Sequence, residues 1–162
     1  MNKLIQNDDI ERLFGPLEKC RGVEQKEKYH PEGDVFVHSL QVLRIAFRES
    51  SDPELILAAM LHDIGKQVGN NGHEEYAIQI LRDSITDKTL WLIENHMRFW
   101  TFVLGEMHKL SKVKSLAGHR WLPDLVLLAR WDKAGRKPNS NVVEIYSRVD
   151  IVDRLNSLIR YS

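Results

Sequence analysis

Leu55 to Lys66 reads LILAAMLHDIGK, an apolar run that ends on a histidine, an aspartate and a lysine. Asp52 and Pro53 just ahead of it have the chemistry of an N-cap and a first helical position. The run is predicted to be a buried core helix, with Gly65 placed to end it. His62 and Asp63 then fall at the inner end of that helix. Removing an imidazole and a carboxylate from water together costs several kcal/mol unless they are paired or hold a metal. Metal binding is the economical reading.

Working outward, helical spacing of apolar residues dominates, and β-branched alternation between tight turns is missing. A short helix is expected over Asp9 to Cys20, interrupted around Gly15 and Pro16, followed by an ordered polar loop over Arg21 to Gly33. Asp34 is placed to cap a helix reaching about Arg48, and Gly65 to Gly72 reads as a loop. Further helices are expected over His73 to Asp83, Asp87 to about Trp100, Glu106 to Lys112, Pro123 to Ala134, and Asn141 to Ile159. In the last of these, Val142, Ile145, Val149, Val152, Leu155 and Ile159 are close to helical spacing. The expected class is all-α, a compact single domain over residues 1–162.

The 23 basic and 23 acidic residues among 162 cancel, so no global field argues for bulk nucleic-acid binding. Cys20 is the sole cysteine, which excludes a disulfide framework and a thiolate zinc site. No signal pattern or membrane-spanning run stands out, so a cytoplasmic protein without membrane attachment is expected, as a monomer or homodimer.

Polar residues recur on apolar helix faces. Val35, His38, Val42 and Ile45 share one stripe, putting a histidine where leucine is the usual occupant. One such residue is ordinarily a hydrogen-bonded core histidine. The pattern repeats, however, with Leu125, Leu128 or Ala129, and Asp132; with His73, Ala77 and Ile80; and with Leu92, His96 and Phe99. Helical proteins commonly build metal sites from inward side chains in this way. His38, His62, Asp63, His73, His96 and Asp132 exceed what one tetrahedral ion needs. The expected division has His38, His62, Asp63 and Asp132 on one ion and Asp63, His73 and His96 on a second, with Asp63 bridging. Nitrogen and oxygen ligands suit iron, manganese, cobalt, nickel or zinc, as one or two divalent ions.

The order His38, His62-Asp63, Asp132 resembles the H…HD…D signature of the HD-domain superfamily of metal-dependent phosphohydrolases, and the added His73 and His96 resemble its two-metal branch. YHPEGDVFVHSLQVL, AAMLHDIGK, GHEEYAIQIL, the ENH at Glu94 to His96, and ARWDKAGR are similar to the HD segment of bacterial CCA-adding tRNA nucleotidyltransferases and its stand-alone relatives. The likeness covers about residues 29–138, the expected core, with the N-terminal helix and loop and the C-terminal helix packing on it. No polymerase segment is matched, so nucleotidyl transfer is not carried over. The resemblance implies phosphomonoesterase or 2′,3′-cyclic phosphodiesterase activity on a small nucleotide or an RNA 3′-end phosphate. The expected mechanism is hydrolysis by a metal-activated water, with Asp63 bridging the ions.

Two cations flank the ligands. Lys66 follows the doublet by one turn, and Arg136 follows the Asp132 helix past Gly135, so both can reach a phosphoryl oxygen. Lys133, Lys137 and Arg98 read as surface charge. His30 reads as a turn-stabilising residue, His108 and His119 as exposed, and Trp91, Trp100, Trp121 and Trp131 as core aromatics. Two rival readings are a di-iron oxygenase with the same ligand pattern and a non-catalytic nucleotide-sensing module.

Overall fold

The computed structural model describes residues 7–26, 28–68, 73–138 and 147–161, with side chains of 7–9, 73, 74 and 161 excepted. The helices are α1 (Asn7–Glu18), α2 (Val35–Glu49), α3 (Pro53–Leu61), α4 (His73–Leu81), α5 (Asp87–Val103), α6 (Leu110–Ala117), α7 (Leu122–Ala134) and α8 (Arg148–Tyr161), with a 3₁₀ turn at Ile64–Val68. The described residues are all-α, with one isolated antiparallel bridge between Glu24 and Asp34.

Helix α3 is the axis of the core. Every residue in it except Glu54 is buried, so it is apolar all round and must be surrounded. Helices α2, α5, α7 and α8 pack against it, while α1 closes the far side on α8. Asp52 accepts from the Glu54 N–H at 3.0 Å and Pro53 opens the helix, as the sequence predicts. The end differs. Helix α3 stops at Leu61, and Gly65 lies buried inside the 3₁₀ turn, where Lys66 N–H donates to Asp63 O at 3.0 Å. The first part of the expected loop after Gly65 is therefore this turn, and 69–72 lie outside the described residues.

Asp34 caps α2 through the Val37 N–H at 2.8 Å, and its other oxygen accepts from Gly22 N–H at 2.8 Å. With Val35 N–H on Val23 O at 3.0 Å, these bonds tie the two ends of the expected 21–33 loop together. Gly33, at φ +110°, makes the turn into the cap in a region L side chains rarely adopt.

Other boundaries move. Helix α1 runs through Gly15 and Pro16 without interruption, because burial of Ile10, Leu13, Phe14 and Leu17 outweighs one missing backbone donor. Thr86 caps α5, with its hydroxyl accepting from Thr89 N–H at 3.4 Å. Helix α6 starts at Leu110 and ends before Gly118, several residues beyond the expected span, since 106–109 form no regular structure, Lys109 is extended and its side chain makes no cap bond. In α8 the buried residues are Ile151, Val152 and Leu155, while Val149 is 66% exposed and Val142 and Ile145 lie outside the described residues. No helix among the described residues is long and apolar enough to cross a membrane.

Candidate metal centre

Five of the six proposed ligands can be placed, and they converge. His38 comes from mid α2, His62 is the C-cap residue just past α3 and Asp63 the next, His96 lies on α5 and Asp132 on the last turn of α7. All are at most 5% exposed. One donor atom each from His38, His62, Asp63 and Asp132 lies within 4.8 Å of the others. The sixth candidate, His73, opens α4, but its side chain lies outside the described residues. On its predicted stripe Ala77 is buried, while Ile80 is turned outward at 37% exposure.

Backbone carbonyls fix the chemistry of these rings. His38 Nδ1 donates to Gly135 O at 2.8 Å, His62 Nδ1 to Ala59 O at 2.8 Å, and His96 Nδ1 to Ile93 O at 2.6 Å. A carbonyl can only accept, so the proton sits on Nδ1 and each neutral ring presents a bare lone pair at Nε2. Those lone pairs meet other acceptors. His38 Nε2 is 2.8 Å from Asp132 Oδ1 and 3.3 Å from His62 Nε2. His62 Nε2 is 3.3 Å from Asp63 Oδ2 and 3.4 Å from Asp132 Oδ1. Acceptors this close repel unless positive charge sits among them. A proton or a metal ion can supply it.

The ionisation behaviour follows. Burial disfavours a charged His62, but Asp63 and Asp132 beside it outweigh burial and push its pKa up to about 10. His38 is raised against burial by hydrogen bonding to Asp132 and Glu32. Asp63 is held well below the usual carboxylate range: burial opposes this, and His62, His96 and Lys66 outweigh it. Asp132 behaves likewise through His38 and His62. The cluster is built to hold cationic charge at its centre, and a divalent ion fits the donor set.

His96 supplies a second observation. Its Nε2 is buried, has no hydrogen-bond partner among the described residues, and faces Asp63 Oδ1 at 3.4 Å. Asp63 thus turns Oδ2 toward His62 and Oδ1 toward His96.

The two flanking cations are where the sequence places them. Lys66 Nζ lies 3.2 Å from Asp63 Oδ2 and donates to Gln25 Oε1 at 2.9 Å. Arg136 Nη2 lies 3.7 Å from Asp132 Oδ1. Both line a cavity of about 660 Å³ with Gln25, Lys26, Tyr29 and His30.

Three participants escape sequence reasoning. Glu32 Oε1 lies 2.8 Å from His30 Nδ1 and 3.0 Å from His38 Nδ1, supporting the ligand from behind. Its pKa is lowered despite burial because both imidazoles hydrogen-bond to it. Only its place in the turn-rich YHPEGD string could have drawn attention. Gly135 contributes a carbonyl, and the close approach of α7 to α2 demands a glycine, since a Cβ there would be 2.7 Å from Val42 Cγ2. Gln25 sits in the loop with no periodicity to mark it. Two sequence expectations shift: Trp91, Trp100 and Trp121 are half-buried while Trp131 is buried, and His119 is half-buried against Trp91.

A helical core with an ordered histidine, histidine-aspartate and aspartate set defines a class, and comparison with known proteins agrees with it. The HD domain family model matches residues 35–155, and the chain belongs to that family. Relatives include the Multifunctional CCA protein of Thioalkalivibrio sulfidiphilus, 35% identical over 127 residues, which covers 72% of this chain and 29% of that protein. The Multifunctional CCA protein of Methylobacillus flagellatus is 28% identical over 131 residues, covering 71% and 30%. That of Nitrosococcus oceani is 46% identical over 57 residues, covering 35% and 14%. The chain spans less than a third of the length of these curated relatives.

Proposed function

We propose that the chain is a metal-dependent phosphohydrolase acting on nucleotide or RNA-end phosphates, as a phosphomonoesterase, a 2′,3′-cyclic phosphodiesterase or both. The observation that carries this is the meeting of imidazole lone pairs and two carboxylates beside a cavity whose wall is rich in donors. Gln25 Nε2 and Arg136 Nε are buried and without a hydrogen-bond partner among the described residues, and Lys66 Nζ stands next to them. Such donors suit a phosphoryl group, whose oxygens accept many hydrogen bonds. About 660 Å³ also leaves room for the rest of a nucleotide.

His38, His62, Asp63 and Asp132 would hold one divalent ion, and Asp63, His96 and His73 a second. Bound there, such ions supply Lewis acidity and make a coordinated water acidic enough to deprotonate near neutral pH. The chain's own part is positioning. Glu32 and the Gly135, Ala59 and Ile93 carbonyls keep the imidazoles aimed inward. Lys66 and Arg136 stabilise charge developing on the phosphoryl oxygens, and Gln25 steers Lys66. Fixed donors of this kind in a partly dry site are worth roughly 100-fold in turnover each. The name of the relatives, Multifunctional CCA protein, supports a substrate at an RNA end without choosing it.

The test is metal analysis of the purified protein, coupled to a screen of 2′-, 3′-, 5′- and 2′,3′-cyclic nucleotides. Metal with turnover on any of these supports the reading, and a di-iron absorption band with no turnover on any phosphate replaces it with the oxygenase. Lys66→Ala should keep its metal and lose roughly 100-fold in turnover. Unchanged turnover removes Lys66 from the site.

A further inference from the structure

Away from the metal centre, the region from Met107 to Leu122 carries Lys109, Lys112, Lys114 and Arg120 with no acidic residue among them, in a chain whose overall charge is zero. All four are exposed, and none makes an ion pair among the described residues. A solvated helix face in a neutral protein normally intersperses both signs. This one does not.

Two structural features give the patch a shape. Between α5 and α6 lies a recess of about 260 Å³ lined by Arg98, Ser111, Lys112 and Ser115 over Asn95. Two cations and two hydroxyls face it and no carboxylate lines it, which matches a phosphate group. Beyond the C-terminal end of α6, His119 stacks on Trp91 with ring centroids 3.9 Å apart and planes at 15°. Trp121 meets both rings edge-on or tilted, and the Arg120 guanidinium lies 4.3 Å over Trp121. Trp121 N–H donates to His119 Nδ1 at 3.2 Å. Burial and Arg120 lower the pKa of His119, so the stack presents neutral rings edged by a cation.

We infer that the α5–α6 recess and the Trp91–His119–Trp121 stack form a binding surface for single-stranded RNA, with backbone phosphates on Arg98, Lys112 and Arg120 and a base against the aromatic group. Unpaired cations that track a backbone next to aromatic faces are the physical elements of sequence-tolerant single-strand binding. Leu104 and Leu110, which are 66% and 64% exposed beside the patch, make an anionic membrane the competing occupant. The recess and the ring stack favour RNA, because a bilayer uses neither. The surface is separate from the cavity at Lys66 and Arg136, so the inference does not rest on the hydrolytic reading.

The test uses the full chain and a roughly 12-nucleotide 5′-fluorescein single-stranded RNA with a 3′-hydroxyl, read by anisotropy across a salt series. Lys112→Glu with Arg120→Glu should weaken binding at least about tenfold and flatten the log–log salt dependence by roughly 1.4, the value for two phosphate contacts. Trp121→Ala should weaken single-strand binding several-fold while leaving the salt slope unchanged. Turnover on a small nucleotide phosphate should be the same in all three proteins. Circular dichroism verifies that each variant is folded, and Arg98→Ala provides a second charge-removal variant outside the aromatic stack. Unchanged affinity and slope in both charge variants, or equal affinity for duplex and single strand, overturns the inference. So does binding to phosphatidylserine vesicles that the double variant abolishes while RNA affinity stays constant.

Discussion

Helices α3 and α7 carry charged residues at both ends and α5 at its start, and the two ends are built on opposite principles. At the N-terminal end, Lys88 at the start of α5 reaches Asp52 at 2.6 Å and Asp124 at 2.7 Å, tying the first turns of all three helices together. At the other end, His62-Asp63 and Asp132 bring carboxylates and imidazole lone pairs together around His38. One network has its cation at the centre, with Lys88 between two carboxylates. The other has its cations, Lys66 and Arg136, at the edge and gathers acceptors at its centre, where a proton or a metal ion can sit. Charge in a helical core is thus either a fastening or a socket, and the arrangement of donors and acceptors tells which.

The largest effect that would separate the two ends is Asp63→Ala. On the proposed assignment of Asp63 to both ions, the variant should lose metal and phosphate-ester turnover together, read by elemental analysis and a turnover assay. Full metal stoichiometry in the variant would refute the bridging role. Gly135→Ala comes next. The added Cβ would meet Val42 at 2.7 Å, so α7 must move off α2, at a cost of about 2 kcal/mol in chemical unfolding. The carbonyl behind His38 moves with it, and metal affinity should fall about tenfold.

The pH dependence sharpens the contrast further. In metal-free protein the raised pKa of His62 contributes stability that is complete below its unfolded value of about 6.5 and disappears as pH rises toward about 10. The depressed carboxylates stay ionised throughout that window and add nothing to the trend; their contribution is lost only as pH falls below about 4. A bound metal replaces the proton instead of losing to it. The gap in Tm between metal-loaded and chelated protein should therefore widen from about pH 6.5 to about pH 9. A gap that narrows would mean the imidazoles do not ligate. The smallest effect is Lys88→Met, which should cost about 1 kcal/mol and leave metal content unchanged, since partly exposed pairs contribute little. A loss of metal in this variant would show that the two ends are coupled.

The socket was legible in the sequence because its residues are misfits: a histidine in the stripe of Val35 and Val42, and an aspartate after Leu125 and Leu128, announce themselves against an apolar background. Helix α3 was legible for a similar reason, since Asp52-Pro53 marks its start and, after Glu54, seven apolar residues run unbroken to Leu61. What surrounds the ligands was not. Glu32 and Gln25 lie in a loop without a period, and the Gly135, Ala59 and Ile93 carbonyls have no side-chain signature at all. Helix α6 lies later than the expected Glu106 to Lys112 span, because 106–109 form no regular structure and the chain turns helical only from Leu110 to Ala117. Thr86 and Asp87 both belong to the preferred capping set, so the sequence does not mark which of them caps α5.

The fixing of three imidazoles by main-chain oxygens also bears on how such a centre endures. A side-chain support can vanish through a single codon change, whereas a peptide carbonyl is supplied by whatever residue occupies the position. Substitution at Ala59 or Ile93 can crowd or shift the helix, yet it leaves the oxygen that sets the tautomer. Gly135 is the exception, because there the absence of a side chain is what lets the strand of contacts close. Of the three anchors, that one is the point at which sequence drift would first disarm the centre.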